Sequence, residues 1–270
     1  MELSNANFYA YQPVNLPAEI DHEKAAKANA TETPFVQGEG DSNAIDPNDV
    51  NQDGYGSCAV LSTIKSIAAQ NPDVLKNMIR DNGDGTYTVT FKEYDNGFFG
   101  IGSGWDKKEV TVAGPFDGKA ADIGDMGKDG QGEVWPAIIE KAYAQYADGG
   151  YKTYDDGESP ADVQEAILGR DSSTESPSEY DSSELSDKLK NGDAVVAWTA
   201  GSDGWNDEQK KLAADYGAVG GHAYRVEDVY TDADGNTRIK LDNPWGHSDV
   251  DMPYSDYQKL YHEVNSTPTK

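Results

Sequence analysis

DVNQDGYGSCAVLSTIKSIA, residues 49–68, joins a polar, glycine-bearing loop to an apolar run. Val60, Leu61, Ile64, Ile67 and Ala68 recur at helical spacing, and Asn71-Pro72 stops the pattern, so a helix is predicted to begin at Cys58. A thiol at that point meets the positive end of the helix dipole and unpaired backbone N–H groups. Both favour the thiolate, the nucleophilic form. Taken alone, a single cysteine reads first as a small buried hydrophobe. The nucleophile therefore has to be argued from its partners.

Four histidines are available: His22, His222, His247 and His262. His222 lies in GGHAYRVEDV, where strand alternation puts His222, Tyr224 and Val226 on one face. By itself it reads as an ordinary strand histidine, but the two glycines before it leave room for close approach of another chain. Asn243 lies in IKLDNPWGHSD, and an Asn before Pro is usually turn chemistry. A Cys–His pair, however, needs a third group to fix the imidazole tautomer and ring plane, and an amide side chain serves. Trp245 stands where it could shield that bond. Gln52, six residues before Cys58, could join the Cys58 backbone N–H as a two-donor oxyanion hole. Each of these is weak alone; the order Gln, Cys, His, Asn is stronger.

Outward from these residues the pattern is mixed. Residues 1–40 read as an irregular N-terminal arm with a short helix at 20–29. A short helix follows near 74–79, then strands at TYTVTF and at Lys108–Val112, then a helix over 133–147 with Pro136 in its first turn. Gly149-Gly150 suggests a boundary. Helices at 160–168 and 182–192 precede β-rich sequence, DAVVAWTA, GHAYRVEDVYT and TRIKLDNP, with a DADGN turn and a final short helix in SDYQKLYHEV. The expected organisation is α+β: a helix-rich unit over 41–150 carrying Cys58 and Gln52, and a β-rich unit over 151–270 carrying His222 and Asn243, with a site in the cleft between them.

Several segments resemble the calpain family of cysteine proteases, a branch of the papain-like fold. The stretch 49–68 looks like the family's helix entry, GSGWDKKEVTV like its Gly-x-Trp hairpin, and EVWPAIIEKAYAQ like its Glu-Lys-Ala-Tyr-Ala helix. GGHAYRVEDV and RIKLDNPWG look like its His and Asn segments. Together they span about 45–265. The resemblance implies a two-lobed, papain-like cysteine endopeptidase with a Cys58–His222–Asn243 triad, Gln52 at the oxyanion hole and a thioester intermediate. Departures are Asp53, Ser57 and Ala59, which stand where the family has glycine, aspartate and tryptophan. They leave the triad and bear on the adjoining pocket. The length leaves no room for the family's regulatory modules, so a protease core alone is expected. Family cores bind calcium in each lobe, which implies Asp49, nine residues before Cys58, and Glu133 as metal ligands, with Ca2+ structural or activating. The second-lobe insertion is short here, and only Asp249 stands out. Asp49–Gly54 also spells half an EF-hand loop, but its twelfth position is Val60 rather than Glu.

Composition narrows the partners. The 270 residues carry 49 acidic and 22 basic side chains, a net charge of −27, which argues against nucleic acid or an anionic membrane. The acidity reads as solvation for most carboxylates and as calcium affinity at few. One cysteine excludes an internal disulfide. The N-terminal residues lack a basic segment and an apolar core, and no run is long enough to span a bilayer, so a cytoplasmic protein or one exported without a signal peptide is expected. Protein or peptide substrates and a monomeric state complete the expectation. The chemistry itself needs no cofactor. The same thioester would also serve a transglutaminase or deamidase, and an idle site would leave a calcium-dependent binding module.

Overall fold

The computed structural model describes residues 20–270 apart from 29, 39, 40, 42, 98–101, 117, 129, 148 and 156. In chain order its elements are α1 (His22–Ala28), β1 (Glu32–Thr33), α2 (Cys58–Gln70), α3 (Pro72–Met78), β2 (Ile79–Asp81), β3 (Thr86–Asp95) and β4 (Gly104–Ala113). Then come β5 (Gly132–Glu133), α4 (Trp135–Tyr146), α5 (Pro160–Leu168), β6 (Ser173–Glu175), α6 (Ser182–Asn191) and β7 (Asp193–Trp198). The last are α7 (Asp207–Tyr216), β8 (Ala223–Thr231), β9 (Thr237–Asp242), β10 (Val250–Pro253), α8 (Tyr254–Leu260) and β11 (Glu263–Pro268). The fold class is α+β. β2, β3 and β4 form an antiparallel sheet, a six-stranded antiparallel sheet has the order β10-β9-β8-β7-β11-β6, and β1 and β5 make a short parallel pair. Among the described residues no helix is long and apolar enough to cross a membrane.

Helix α2 lies between two apolar clusters. Val60, Leu61, Ile64 and Ile67, all fully buried, join Phe91, Trp135, Ile138 and Val163 in the first cluster. The second is built on the six-stranded sheet from Tyr224, Val226, Ile239, Leu241, Tyr257 and Val264. The opposite face of α2 is polar yet also buried: Ser62 Oγ donates to the Ala223 carbonyl at 2.9 Å, and Ser66 Oγ accepts from the Val195 N–H at 2.8 Å. These bonds satisfy groups that burial would otherwise penalise. They also fix α2 in register against β7 and β8.

Several elements differ from the sequence expectations. The short helix expected at 20–29 is present as α1, but the arm then forms β1, which runs parallel to β5; residues 1–19 lie outside the described residues. That pairing takes Glu133 out of the helix expected at 133–147, which begins at Trp135 instead. The apolar side chains do not divide at 150, because Val163, Ala166 and Ile167 of α5 pack in the first cluster. α7 was not expected, although Asn206 and Gln209 form a capping box at its start. The final helix stops at Leu260, and the residues after it become β11, an inner strand paired with β7 and β6. Its buried residues are mostly polar, Asn265, Ser266 and Thr267, so no apolar alternation announces it. Thr267 Oγ1 instead donates to Gln164 at 2.7 Å, and Asn265 donates to Thr174 at 2.9 Å.

Candidate active site

The N-cap of α2, Ser57, does not cap its own helix. Its hydroxyl turns to buried Glu140 of α4, at 2.5 Å. The first-turn amides are thereby left for the next side chain, Cys58. The half-buried thiol is raised above its ordinary value by burial, opposed by backbone N–H groups of Ala223, Ala59 and Cys58 itself. Two of these belong to the helix start. The third, Ala223, directly follows His222, so the sulfur and the imidazole come from adjoining points of two packed elements.

His222 is buried at the entrance to β8. Its Nε2 lies 2.9 Å from Asn243 Oδ1. Trp245 covers the ring at a centroid distance of 4.6 Å, and Tyr224 meets it edge-on at 4.9 Å. Burial pulls the imidazole below 6.5, partly offset by the Asn243 bond. Burial thus opposes charge on both groups, raising the thiol and lowering the imidazole.

Asn243 is fully buried and held at every polar atom. Its N–H donates to Asp249 Oδ1 at 2.9 Å, and its carbonyl accepts from Lys65 Nζ at 3.2 Å. Its Nδ2 donates to the Ser248 carbonyl at 3.3 Å, while Oδ1 accepts from the Trp245 N–H at 3.0 Å. The last two bonds fix which end of the amide faces the ring. Since Oδ1 is an acceptor only, Nε2 carries the proton and Nδ1 is left with its lone pair.

Gln52 comes close to the same turn. Its backbone N–H donates to the Pro244 carbonyl at 2.7 Å, and one Nε2 hydrogen goes to the Tyr55 carbonyl, also at 2.7 Å. An amide nitrogen carries two hydrogens, so one donor remains. The structure thus brings Gln52, Cys58, His222 and Asn243 to one junction between α2, the start of β8 and the turn after β9. A family model, calpain family cysteine protease, matches residues 26–270, nearly the whole chain.

The chain belongs to the calpain family of cysteine proteases. That membership supports cysteine peptidase activity. No individually curated protein matches the chain.

In this calpain-family chain the two expected metal ligands lie together, with two more carboxylates that sequence reasoning missed. Ligand oxygens of Asp41, Asp49 and Asp125 lie within 4.8 Å of one another. Glu133 adjoins them: a Cβ at Gly124 would lie 2.8 Å from Glu133 Oε2 and 3.5 Å from Asp49 Cβ. Asp49 Oδ2 accepts from Asp46 N–H at 2.6 Å and from Trp135 Nε1 at 3.1 Å. Glu133 Oε1 accepts from the Val36 N–H at 2.7 Å, while Oε2 is buried with no hydrogen-bond partner among the described residues. Burial, then neighbouring carboxylates, push Glu133 up to about 8. Burial also lifts Asp49 to about 6, against its bonds to Asp46 and Trp135. An orphaned buried oxygen amid oxygen-only ligands fits a hard cation such as Ca2+. Asp41 and Asp125 follow no spacing rule from Cys58; each is merely an acidic residue near a loop glycine, a signal too common to single out. Asp249, the candidate in the second half, is instead bonded to Asn243 N–H. His247 is exposed and His262 packs edge-on against Trp198; the side chain of His22 lies outside the description.

Proposed function

We propose that the protein is an endopeptidase acting through Cys58, His222 and Asn243 in a two-lobed, papain-like arrangement. The observation that carries this is the 2.9 Å contact between His222 Nε2 and Asn243 Oδ1: an oxygen acceptor there favours Nε2–H and leaves the Nδ1 lone pair to take the thiol proton. As Cys58 sulfur attacks the scissile carbonyl carbon, that proton moves to Nδ1. The oxyanion is held by the Cys58 N–H and by the second hydrogen of Gln52 Nε2. The imidazolium then gives its proton to the leaving amine, which departs and leaves a thioester. In the second half His222 takes a proton from water, and hydrolysis regenerates the thiol.

Burial disfavours charge on both the thiol and the imidazole, which favours proton transfer in step with attack. This supports low reactivity until substrate or a cation orders the site. Asp41, Asp49, Asp125 and Glu133 would hold Ca2+, which would supply positive charge that neutralises their mutual repulsion. Asp49 begins the loop that carries Gln52, and Asn51 O accepts from Asp122 N–H at 2.9 Å, so that loop and the 122–125 segment are bound together beside the carboxylates.

The test is casein cleavage by wild type and by Cys58→Ala, each with calcium and with chelator, read by mass spectrometry. New peptide termini that vanish in Cys58→Ala support the reading. An intact chain with a shift of about one dalton on glutamine would move it to a deamidase, and equal cleavage by both proteins would refute it.

A further inference from the structure

Lys65 sits seven residues after Cys58 on α2. Seven residues are nearly two full turns, so the two side chains share a face, about 10 Å apart along the axis. That face meets the six-stranded sheet through Ser62 and Ser66. At its far end Lys65 is almost wholly buried, its side chain 3% exposed. A lysine is rarely placed so without a partner. Here Nζ lies 2.7 Å from Asp242 Oδ1 and donates to the Asn243 carbonyl at 3.2 Å. The other oxygen of Asp242 is taken by Arg225 of β8, its register partner, at 2.7 Å.

The peptide units around Asn243 are therefore clamped by charged side chains. Lys65 holds the carbonyl side and the preceding residue; Asp249 holds the N–H side. With the backbone fixed, Trp245 and Ser248 need set only the side-chain torsions of Asn243. The clamp starts on the helix that carries the sulfur and ends on the residue that orients the imidazole. A hydrophobic residue in place of Lys65 would fill the space but could not bind two oxygens. In particular, no apolar contact specifies the direction of a carbonyl, whereas a charge-assisted hydrogen bond does.

We propose that Lys65 is a positioning residue: through Asp242 and the Asn243 carbonyl it fixes the distance between the His222 ring and the thiol on its own helix. This rests on the Cys58–His222–Asn243 reading. Misplacement by about an ångström costs up to about 10²-fold in rate, while substrate binding elsewhere in the cleft is untouched.

The experiment compares wild type with Lys65→Met and Lys65→Arg on one peptide substrate, with circular dichroism as the folding control. Lys65→Met is expected to lower kcat on the order of 10- to 100-fold with KM within about twofold, and Lys65→Arg to recover most of the loss. The downfield proton resonance of the His222 Nε2–H, identified by its absence in Asn243→Ala, should broaden or vanish in Lys65→Met and persist in Lys65→Arg. A folded Lys65→Met with wild-type kcat and an unchanged resonance overturns the proposal, as does a rise in KM that accounts for the whole loss. Should Lys65→Met not fold, Asp242→Asn, which keeps the side-chain shape but replaces one acceptor oxygen by NH2 and removes the charge, is judged by the same readouts. A wild type whose turnover survives Cys58→Ala defeats the catalytic reading instead; an active wild type matched by folded Lys65→Met defeats only the positioning role.

Discussion

The backbone N–H of Gln52 donates to the carbonyl oxygen of Pro244 at 2.7 Å. Residues nearly two hundred positions apart are thereby joined main chain to main chain. One precedes the proposed nucleophile, Cys58, by six residues; the other directly follows Asn243. The bond is made by the backbone and survives removal of the Gln52 side chain, which gives up only its local hydrogen bond to the Tyr55 carbonyl.

Gln52→Ala should accordingly keep the melting temperature and KM near wild type while lowering kcat by about 10²–10³-fold, the usual cost of losing an oxyanion donor. Steady-state kinetics beside a thermal melt checks both halves. A kcat within threefold of wild type would remove Gln52 from the oxyanion hole.

The acid limb of kcat/KM should lie below 6.5, because burial lowers the His222 imidazole and only its neutral form accepts the thiol proton. In Asn243→Asp a carboxylate would favour the imidazolium, and the limb should move upward past 6.5. The same shift makes a stability statement. The unfolded imidazole binds protons more readily than the native one, so the contribution is fully present above 6.5 and is lost as pH falls toward the native value. A pH–rate profile of both proteins decides it; identical limbs would contradict the assignment.

Calcium should stabilise more at high pH. Glu133 and Asp49 titrate at about 8 and about 6, against ordinary values of 4.5 and 3.8. The native state therefore binds protons more tightly than the unfolded chain, and in chelator this stability is lost as pH rises, for Glu133 across 4.5 to about 8. A cation replaces those protons. At 100 times its Kd calcium should add about 2.7 kcal/mol, roughly 5 °C or more in melting temperature, above pH 8 and much less at pH 5. In Glu133→Gln both the pH dependence and the calcium shift should shrink. Melts with calcium and with chelator that coincide at every pH would show that these carboxylates bind no cation.

Gly246→Ala should disturb fold and activity together. Gly246 has φ 72°, and a Cβ there would lie 1.8 Å from Asn51 Oδ1. The strained conformation and the clash should cost about 1–3 kcal/mol in urea unfolding. Because Asn51 is the neighbour of Gln52, kcat should fall as well. A variant with unchanged kcat would show that the turn and the Gln52 loop move independently.

Much of the site was legible in the sequence because its members sit at element ends, where local chemistry is distinctive. Cys58 opens a helix, His222 enters a strand, and Asn243 ends one beside Pro-Trp-Gly. Lys65 was not legible, since a lysine in an apolar helical run reads as an exposed position until the partner that neutralises it is known. Glu140 gave no local sign either: only packing brings its carboxylate to the Ser57 hydroxyl, which it draws away from the start of α2. β11 escaped for a related reason: its buried side chains are satisfied by cross-strand hydrogen bonds, and hydrogen-bonding capacity has no periodicity of its own.

The sequence by itself determined where α2 starts, which cysteine it presents, and the order Gln, Cys, His, Asn, because helix periodicity and turn chemistry act over a few neighbouring residues. Only the tertiary structure decided that Asn243 Oδ1 faces Nε2, that burial opposes charge on the thiol and the imidazole, and that Asp41 and Asp125 join Asp49 and Glu133. Those outcomes depend on desolvation and on charges brought together across long chain separations, and both come into being only when the elements pack.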